Sequence, residues 1–245
     1  MSPRMGFLRG READAVEEMD LPGCDPARLD RSYAQFAVVN RAVSGWRCIY
    51  RTLLRPRLSA RSVTTLLDIG CGGGDVPVRI SRWAARDGLR LETTAIDPDA
   101  RASRFARQRH ASAGITFRQA RTSDLIGEGR SYDLVVSNHV LHHLEDAALP
   151  AFLAESAALC RGLAIHNDLR RSRAAYALFY AGSWPFIGSY IRPDGLTSIR
   201  RSYTTEELQT VAPPGWNVAR HFPFHNLLML DKGTGIPAGE DAAGH

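Results

Sequence analysis

Ten residues constrain this chain more than any others: Leu66-Leu67-Asp68-Ile69-Gly70-Cys71-Gly72-Gly73-Gly74-Asp75. An apolar run over residues 63–67 meets an acid and a turn with four glycines, and an amphipathic stretch follows over residues 76–85. That order spells a strand, a tight turn and the start of a helix. Glycine admits positive φ and lets a ligand lie against the backbone with no Cβ in the way. The segment therefore offers a bed for a nucleotide-like cofactor. Counting from Gly70, the last glycine of the dinucleotide pattern G-x-G-x-x-G is replaced by Asp75. No Gly-Lys-Ser/Thr follows, so a P-loop is excluded as well.

Downstream the chain alternates. Strands are expected at residues 63–68, 90–97, 115–119, 132–138 and 162–167, and helices at 76–86, 99–113 and 147–159. Such alternation predicts a mostly parallel sheet with helices on both faces. Two late strands at 216–221 and 226–230 complete a seven-stranded, Rossmann-like α/β core over residues 61–231. In these sheets ligands sit beyond the carboxyl ends of the strands. One rim should thus gather residues 68–74, Asp97, 120–122, 137–139 and 166–168.

Asp68-x-Gly70-x-Gly72-x-Gly74, the acid Asp97 after the next apolar stretch, and Tyr132-Asp-Leu-Val-Val-Ser-Asn-His-Val-Leu-His-His-Leu144 together resemble the class I S-adenosylmethionine-dependent methyltransferases. The resemblance covers about residues 63–169 and implies S-adenosyl-L-methionine as cofactor, with S-adenosyl-L-homocysteine as product. It implies that Asp68, Gly70, Cys71, Gly72 and Gly74 approach the methionine part, that Asp97 holds the ribose, and that Pro98 packs on the adenine. Ser137, Asn138 and His139 become candidates for the methionine carboxylate and ammonium. Many relatives carry an acid after the third strand, whereas this chain has Arg121-Thr122 there. Either Asp124 or backbone around Arg121 would then meet the adenine.

His139, His142 and His143 follow the fourth strand at i, i+3 and i+4, and a helical turn would set them on one face. His166 and Asp168 should be their neighbours on the fifth strand. A phenol of pKa ~10 does not ionise unaided at neutral pH, and a histidine near ~6.5 is a suitable base. His142 oriented by Asp168, with His143 as second donor or alternate base, is the expected catalytic group. A purely structural role for these histidines is the competing interpretation. Some of these are metal-ligand residue types, but no metal is assigned.

Residues 1–60 are expected to form an N-terminal arm, loosely held over residues 1–20, and a helical cap. Tyr33, Phe36, Ala37, Asn40, Val43 and Trp46 recur at helical steps. The piece caps the cofactor mouth or braces the sheet. Residues 172–203 hold Tyr176, Phe179, Tyr180, Trp184, Phe186 and Tyr190 broken by glycine and proline, which suits a lid over an aromatic acceptor. At least half of these aromatics could equally be core. Candidate acceptor contacts are Tyr33, Asn40, His166, Phe179, Trp184 and Tyr190. The aromatics beside Arg170, Arg171 and Arg173 also allow peripheral contact with a membrane, where quinone-type substrates reside. Thr204-x-x-Glu207 is a capping box, and residues 232–245 read as a disordered tail.

The net charge of +5 is almost entirely dispersed arginine with a single lysine, so no nucleic-acid stripe emerges. Four scattered cysteines suggest neither zinc nor disulfides. No signal segment and no run of about 18 apolar residues is present, which favours a cytoplasmic location. At finer grain the chain is similar to bacterial small-molecule O-methyltransferases of the ubiquinone/menaquinone-biosynthesis type, and especially to those acting on polyketide-derived phenols. Carbon methylation of an electron-rich ring and cofactor binding without catalysis are the alternatives.

Overall fold

The computed structural model describes residues 7–233. The first six residues of the arm and residues 234–245 of the expected tail lie outside them. Seven strands form one sheet: β1 Thr64–Ile69, β2 Leu91–Asp97, β3 Thr116–Gln119, β4 Tyr132–Asn138, β5 Cys160–Leu169, β6 Asn217–His221 and β7 His225–Asp231. Their order is β3-β2-β1-β4-β5-β7-β6. The first five are mutually parallel, and β7 runs antiparallel between β5 and β6. The order reverses between β1 and β4, which opens the crevice where such sheets take their ligand.

Side-chain alternation explains the two-sided burial. Leu66, Leu134, Val136, Leu163 and Ile165 face one apolar layer with Trp46, Ile49 and Leu54. Their neighbours Leu67, Val135 and Ala164 face the opposite layer with Leu125 and Leu159. Each fully buried leucine contributes about 1.5–3 kcal/mol.

The helices are α1 Pro26–Val43, α2 Trp46–Ile49, α3 Asp75–Arg86, α4 Ala100–Arg109, α5 Thr122–Gly127, α6 Leu149–Leu159, α7 Arg173–Gly182, α8 Ile191–Arg201 and α9 Thr205–Val211. α1 begins at Asp25, whose side chain accepts from the Arg28 N–H, with Pro26 in the first helical position. Gly45, at φ +69°, separates it from α2, where a Cβ would meet the His221 ring. Tyr33, Phe36 and Asn40 of α1 line the cavity at the sheet rim, and Trp46, Ile49 and Leu54 pack against the sheet. Thr204 and Glu207 form the expected capping box at α9. Among the described residues no helix is long and apolar enough to cross a membrane.

Three expectations are corrected. α5, a short helix absent from the expected elements, follows β3. The described part of the arm is not loosely held: its Arg11 donates to the Arg201 carbonyl (2.6 Å) and the Leu144 carbonyl (2.5 Å) and pairs with Asp146. The Glu18 and Met19 N–H groups donate to Asp194 on α8 (2.7 and 3.0 Å). Residues 11–20 are thus a fastened strap. The aromatic segment, finally, folds around α7 and α8, and none of its six aromatic residues lines the cavity: Tyr180 and Trp184 are exposed, with Leu178 and Ile187.

Candidate active site

β1 runs directly into the glycine turn. Gly70 (φ +69°) donates its N–H to the Ile96 carbonyl (2.8 Å), and a Cβ there would lie 2.6 Å from Val140. Gly72 (φ +52°) differs: nothing lies within 4 Å of the place its Cβ would take. Its N–H donates to Asp97 Oδ2 (2.9 Å), while Asp97 Oδ1 accepts from Asp99 (2.9 Å). The turn and the acid ending β2 are therefore locked together, with an open backbone surface between them.

That surface is the floor of a cavity of about 410 Å³ at the sheet rim. Its walls include Asp68, Gly70, Cys71, Gly72, Asp97 and Pro98, with Asn138, His139, His142 and His143 across the rim and Tyr33 and Asn40 from α1. Six acids line it (Glu17, Asp20, Asp68, Asp75, Asp97 and Asp99), and among the described residues no lysine or arginine does. Asp68 is 1% exposed and neither carboxylate oxygen has a hydrogen-bond partner. Burial, then the nearby Asp75 and Asp97 charges, push its carboxyl well above the usual range. Burial also raises Asp97. A cationic ligand would relieve all of this. The unpartnered Asp68, the open Gly72 backbone and the excess of acids over the arginines behind them fit a nucleoside carrying a sulfonium and an ammonium. Asp97 would hold its ribose hydroxyls and Pro98 would flank its base.

The histidine turn crosses this floor. His139 takes φ +59°, a left-handed conformation rare outside glycine, with its N–H bound to the Asn167 carbonyl (2.9 Å). Its Nε2 lies 3.0 Å from Nε2 of His225, a buried residue on β7. Burial lowers both, His139 to about 4. His142, 1% exposed, is gripped twice by Asp168: Nδ1 lies 2.6 Å from Oδ1, and its backbone N–H donates to Oδ2 (2.9 Å). Against the upward push of burial, the His142 charge and hydrogen bonds hold the Asp168 carboxyl well below the usual range. For His143, Asp20 and Glu17 outweigh the downward push of burial and raise its pKa.

Glu17 and Asp20 come from the strap. Glu17 is 2% exposed, and its Oε1 lies 3.6 Å from His142 Nε2 and accepts from the Ser198 hydroxyl (2.8 Å). His143 lies 3.8 Å from Glu17 through Nε2 and 3.2 Å from Asp20 through Nδ1. Among the described residues, Glu17, His142 and His143 alone gather three metal-type ligand atoms within 4.8 Å. Glu17, Asp20 and Ser198 were missed from the sequence. The acid run Glu17-Glu18-x-Asp20, set against a His-His pair, is the signal that could have found the first two.

Other expected site residues go elsewhere. Gly74 (φ +78°) is the α3 N-cap, and a Cβ would meet Phe117 at 2.7 Å, so it serves close packing. Ser137 lies under the rim, hydrogen-bonded to His166 Nδ1 (2.7 Å). His166 is fully buried, its Nε2 held by Ser156 (3.0 Å), and faces no acceptor space. Arg121 and Thr122 open α5 outside the cavity lining, with Thr122 bonded to Glu155. Asp124 accepts the Arg121 N–H (2.8 Å) and is committed to that cap. Phe179 packs against Gly195 of α8, and Trp184 is 63% exposed beneath Arg192. Tyr190 is buried, its hydroxyl accepting the Asp25 N–H (2.8 Å). None of these lines the cavity.

Residues 66–162 match a protein family described as "Methyltransferase domain". The ubiquinone biosynthesis O-methyltransferase of Methylobacterium sp. (strain 4-46) is 30% identical over 155 residues, 62% of this chain and 58% of that protein. The chain spans about half to three fifths of the length of the curated relatives it matches first. Among solved structures, human N-acetylserotonin methyltransferase in complex with S-adenosylmethionine superposes with a TM-score of 0.59 at 13% identity, over 86% of this chain and 57% of that one. Magnesium protoporphyrin IX methyltransferase from Synechocystis, with the same molecule bound, gives 0.52 at 16% identity, over 88% and 97%. Both likenesses concern the fold. The family match identifies residues 66–162 as a methyltransferase domain, set in the fold that both solved methyltransferases share.

Proposed function

We propose that this chain transfers a methyl group from S-adenosylmethionine to a hydroxyl of a small aromatic acceptor, a phenol, with His142 as the base. The observation that carries the proposal is the His142–Asp168 pair at the edge of the cofactor bed. Bound there, S-adenosylmethionine supplies an electrophilic methyl on sulfur. Asp168 accepts from Nδ1 and so leaves Nε2 as the basic nitrogen at the cavity wall. Tyr33 and Asn40 on α1 frame the acceptor, and Leu144, Val140 and Met19 keep its surroundings apolar. The strap excludes water, which would otherwise compete for the methyl. The name of the curated relatives, ubiquinone biosynthesis O-methyltransferase, supports an oxygen acceptor.

We further propose that the outward face of α7 and its following loop rests on a lipid surface. The supporting features are exposed Leu178, Tyr180, Trp184 and Ile187, with Arg192 stacked on Tyr180 and Trp184 at 4.4 Å.

The deciding experiment incubates the protein with the cofactor and a panel of mono- and dihydroxylated aromatics, and reads products by mass spectrometry and NMR. Methyl ethers are expected. Carbon-methylated rings would replace the hydroxyl reading, and cofactor binding without any methylated product would sink catalysis.

A further inference from the structure

Transfer of a methyl to a hydroxyl liberates one proton per turnover, and the base proposed to take it is almost fully buried. Side chains of alternating type run from it to the surface. Asp168 Oδ1 lies 2.6 Å from His142 Nδ1, and His142 Nε2 lies 3.6 Å from Glu17 Oε1. Glu17 Oε2 lies 3.8 Å from His143 Nε2, and His143 Nδ1 lies 3.2 Å from Asp20 Oδ2. Side-chain exposure rises along the row, from 4% at Asp168, 2% at His142 and 3% at Glu17 to 34% at His143 and 45% at Asp20. Imidazoles and carboxylates thus alternate, each inner imidazole nitrogen facing a carboxylate, from the strand end to solvent.

We infer that Glu17 and His143 form a proton exit that connects the His142 base to solvent at Asp20. This rests on the proposed hydroxyl methylation. The acceptor O–H gives its proton to His142 Nε2 as its oxygen takes the methyl. Glu17 Oε1 then receives that proton, and His142 returns to its neutral form with Nδ1–H still bound to Asp168. Rotation of the Glu17 carboxyl presents the proton to His143 Nε2. His143 releases its other proton from Nδ1 to Asp20 and water. One proton enters and one leaves, with no redox partner.

The two gaps at Glu17 exceed hydrogen-bond length. Hydrogen bonds of this kind are often long in ligand-free sites and tighten when substrate binds. Groups from three elements surround the Glu17 carboxyl. From α8 it meets the Ser198 hydroxyl at 2.8 Å and Arg201 Nη1 at 4.0 Å, with Asp194 nearby. From its own strap it has Glu18 and Asp20, and from the turn the two histidines. The single cation at 4.0 Å does not fix the carboxylate in an ion pair as a bidentate contact would.

Glu17→Gln is isosteric and still accepts from Ser198. The first readout is the NMR titration of the His142 and His143 imidazoles in the ligand-free protein. The midpoint of His143 should fall by about one pH unit in Glu17→Gln. The second readout is turnover: kcat near neutrality should fall about 10- to 100-fold, with acceptor KM and homocysteine-product affinity unchanged. High concentrations of a small buffer should restore part of it. Asp20→Asn, at the exposed end, should show the same buffer-dependent loss in milder form and keeps the test alive if Glu17→Gln does not fold. Unaltered histidine titrations together with a wild-type pH profile would overturn the exit. So would a divalent ion that copurifies one per chain with the wild type and is missing from Glu17→Gln. Full activity in His142→Gln would instead defeat the base itself, so the two failures are distinguishable.

Discussion

Two layers of polar residues lie one above the other at the carboxyl end of the sheet, and they have opposite fates. Just beneath the cavity, the ring nitrogens of His166 are both taken up by the protein. Ser137 and Ser156 hold the two nitrogens of His166, whose ring stacks on Trp216 at 5.2 Å, and burial lowers its pKa to about 3. At the cavity wall the groups are left in excess. Asp68 has no partner, and His142, held by Asp168 two residues beyond His166 on β5, faces a carboxylate at each nitrogen. Residue type does not separate the layers; the partner does. Neutral hydroxyls make a histidine part of the frame, and carboxylates make it a place to hold a proton.

The largest expected effect is on chemistry. His142→Gln should lower kcat by about 10²- to 10⁴-fold and leave cofactor affinity intact in a calorimetric titration. His166→Gln should leave kcat per folded molecule unchanged. Equal losses in both would erase the distinction between the layers.

Acid should then attack the lower layer. The folded pKa of His166, about 3, lies below the ordinary value of 6.5, so between them the unfolded chain binds a proton that the folded chain refuses. Stability therefore falls as pH falls below about 6.5, by roughly 2 kcal/mol for this residue on reaching pH ~5. Denaturant titrations of the wild type and His166→Gln should show a steeper acid loss in the wild type.

Gly72 and Gly74 test the same contrast without charge. Gly72→Val should weaken cofactor binding by about tenfold or more, an effect of ~1.4 kcal/mol, because its side chain would fill the cofactor bed. Gly74→Val should chiefly cost stability, since Phe117 stands 2.7 Å from the new Cβ. The smallest effect concerns Asp68→Asn. Removing an unpartnered buried charge should raise the melting temperature of the ligand-free protein by about 2–4 °C while weakening cofactor binding. A fall in melting temperature would mean that Asp68 is satisfied after all.

What the sequence made legible was local. The glycine turn, Asp97 and the apolar runs of the strands carry their signals within a few residues, and Thr204 and Glu207 announce a helix start that the structure contains. The pairing of His142 with Asp168 was readable because parallel strands bring their ends to one rim. The strap was not: Glu17 meets its histidines across more than a hundred residues of chain, and nothing in residues 11–20 taken alone says that Arg11 will seize the Leu144 carbonyl. The aromatics misled for a related reason. Phe179 and Tyr190 look like ligand contacts in composition, but helix pairing turned one against Gly195 and the other toward Asp25. Arg121 and Thr122 were claimed by a helix too short to show periodicity.

The six acids of the cavity, of which only Asp75, Asp99 and Glu17 have an arginine behind the wall, have a consequence for the end of the catalytic cycle. A sulfonium donor carries one more positive charge than the thioether left after the methyl has gone. An acidic wall in a poorly screened crevice holds the former more tightly than the latter. The spent molecule thus loses part of its grip on the site through the reaction itself, and fresh donor competes for the wall with an electrostatic advantage. Affinity that decays with the charge of its own guest lets the crevice discharge what it has used.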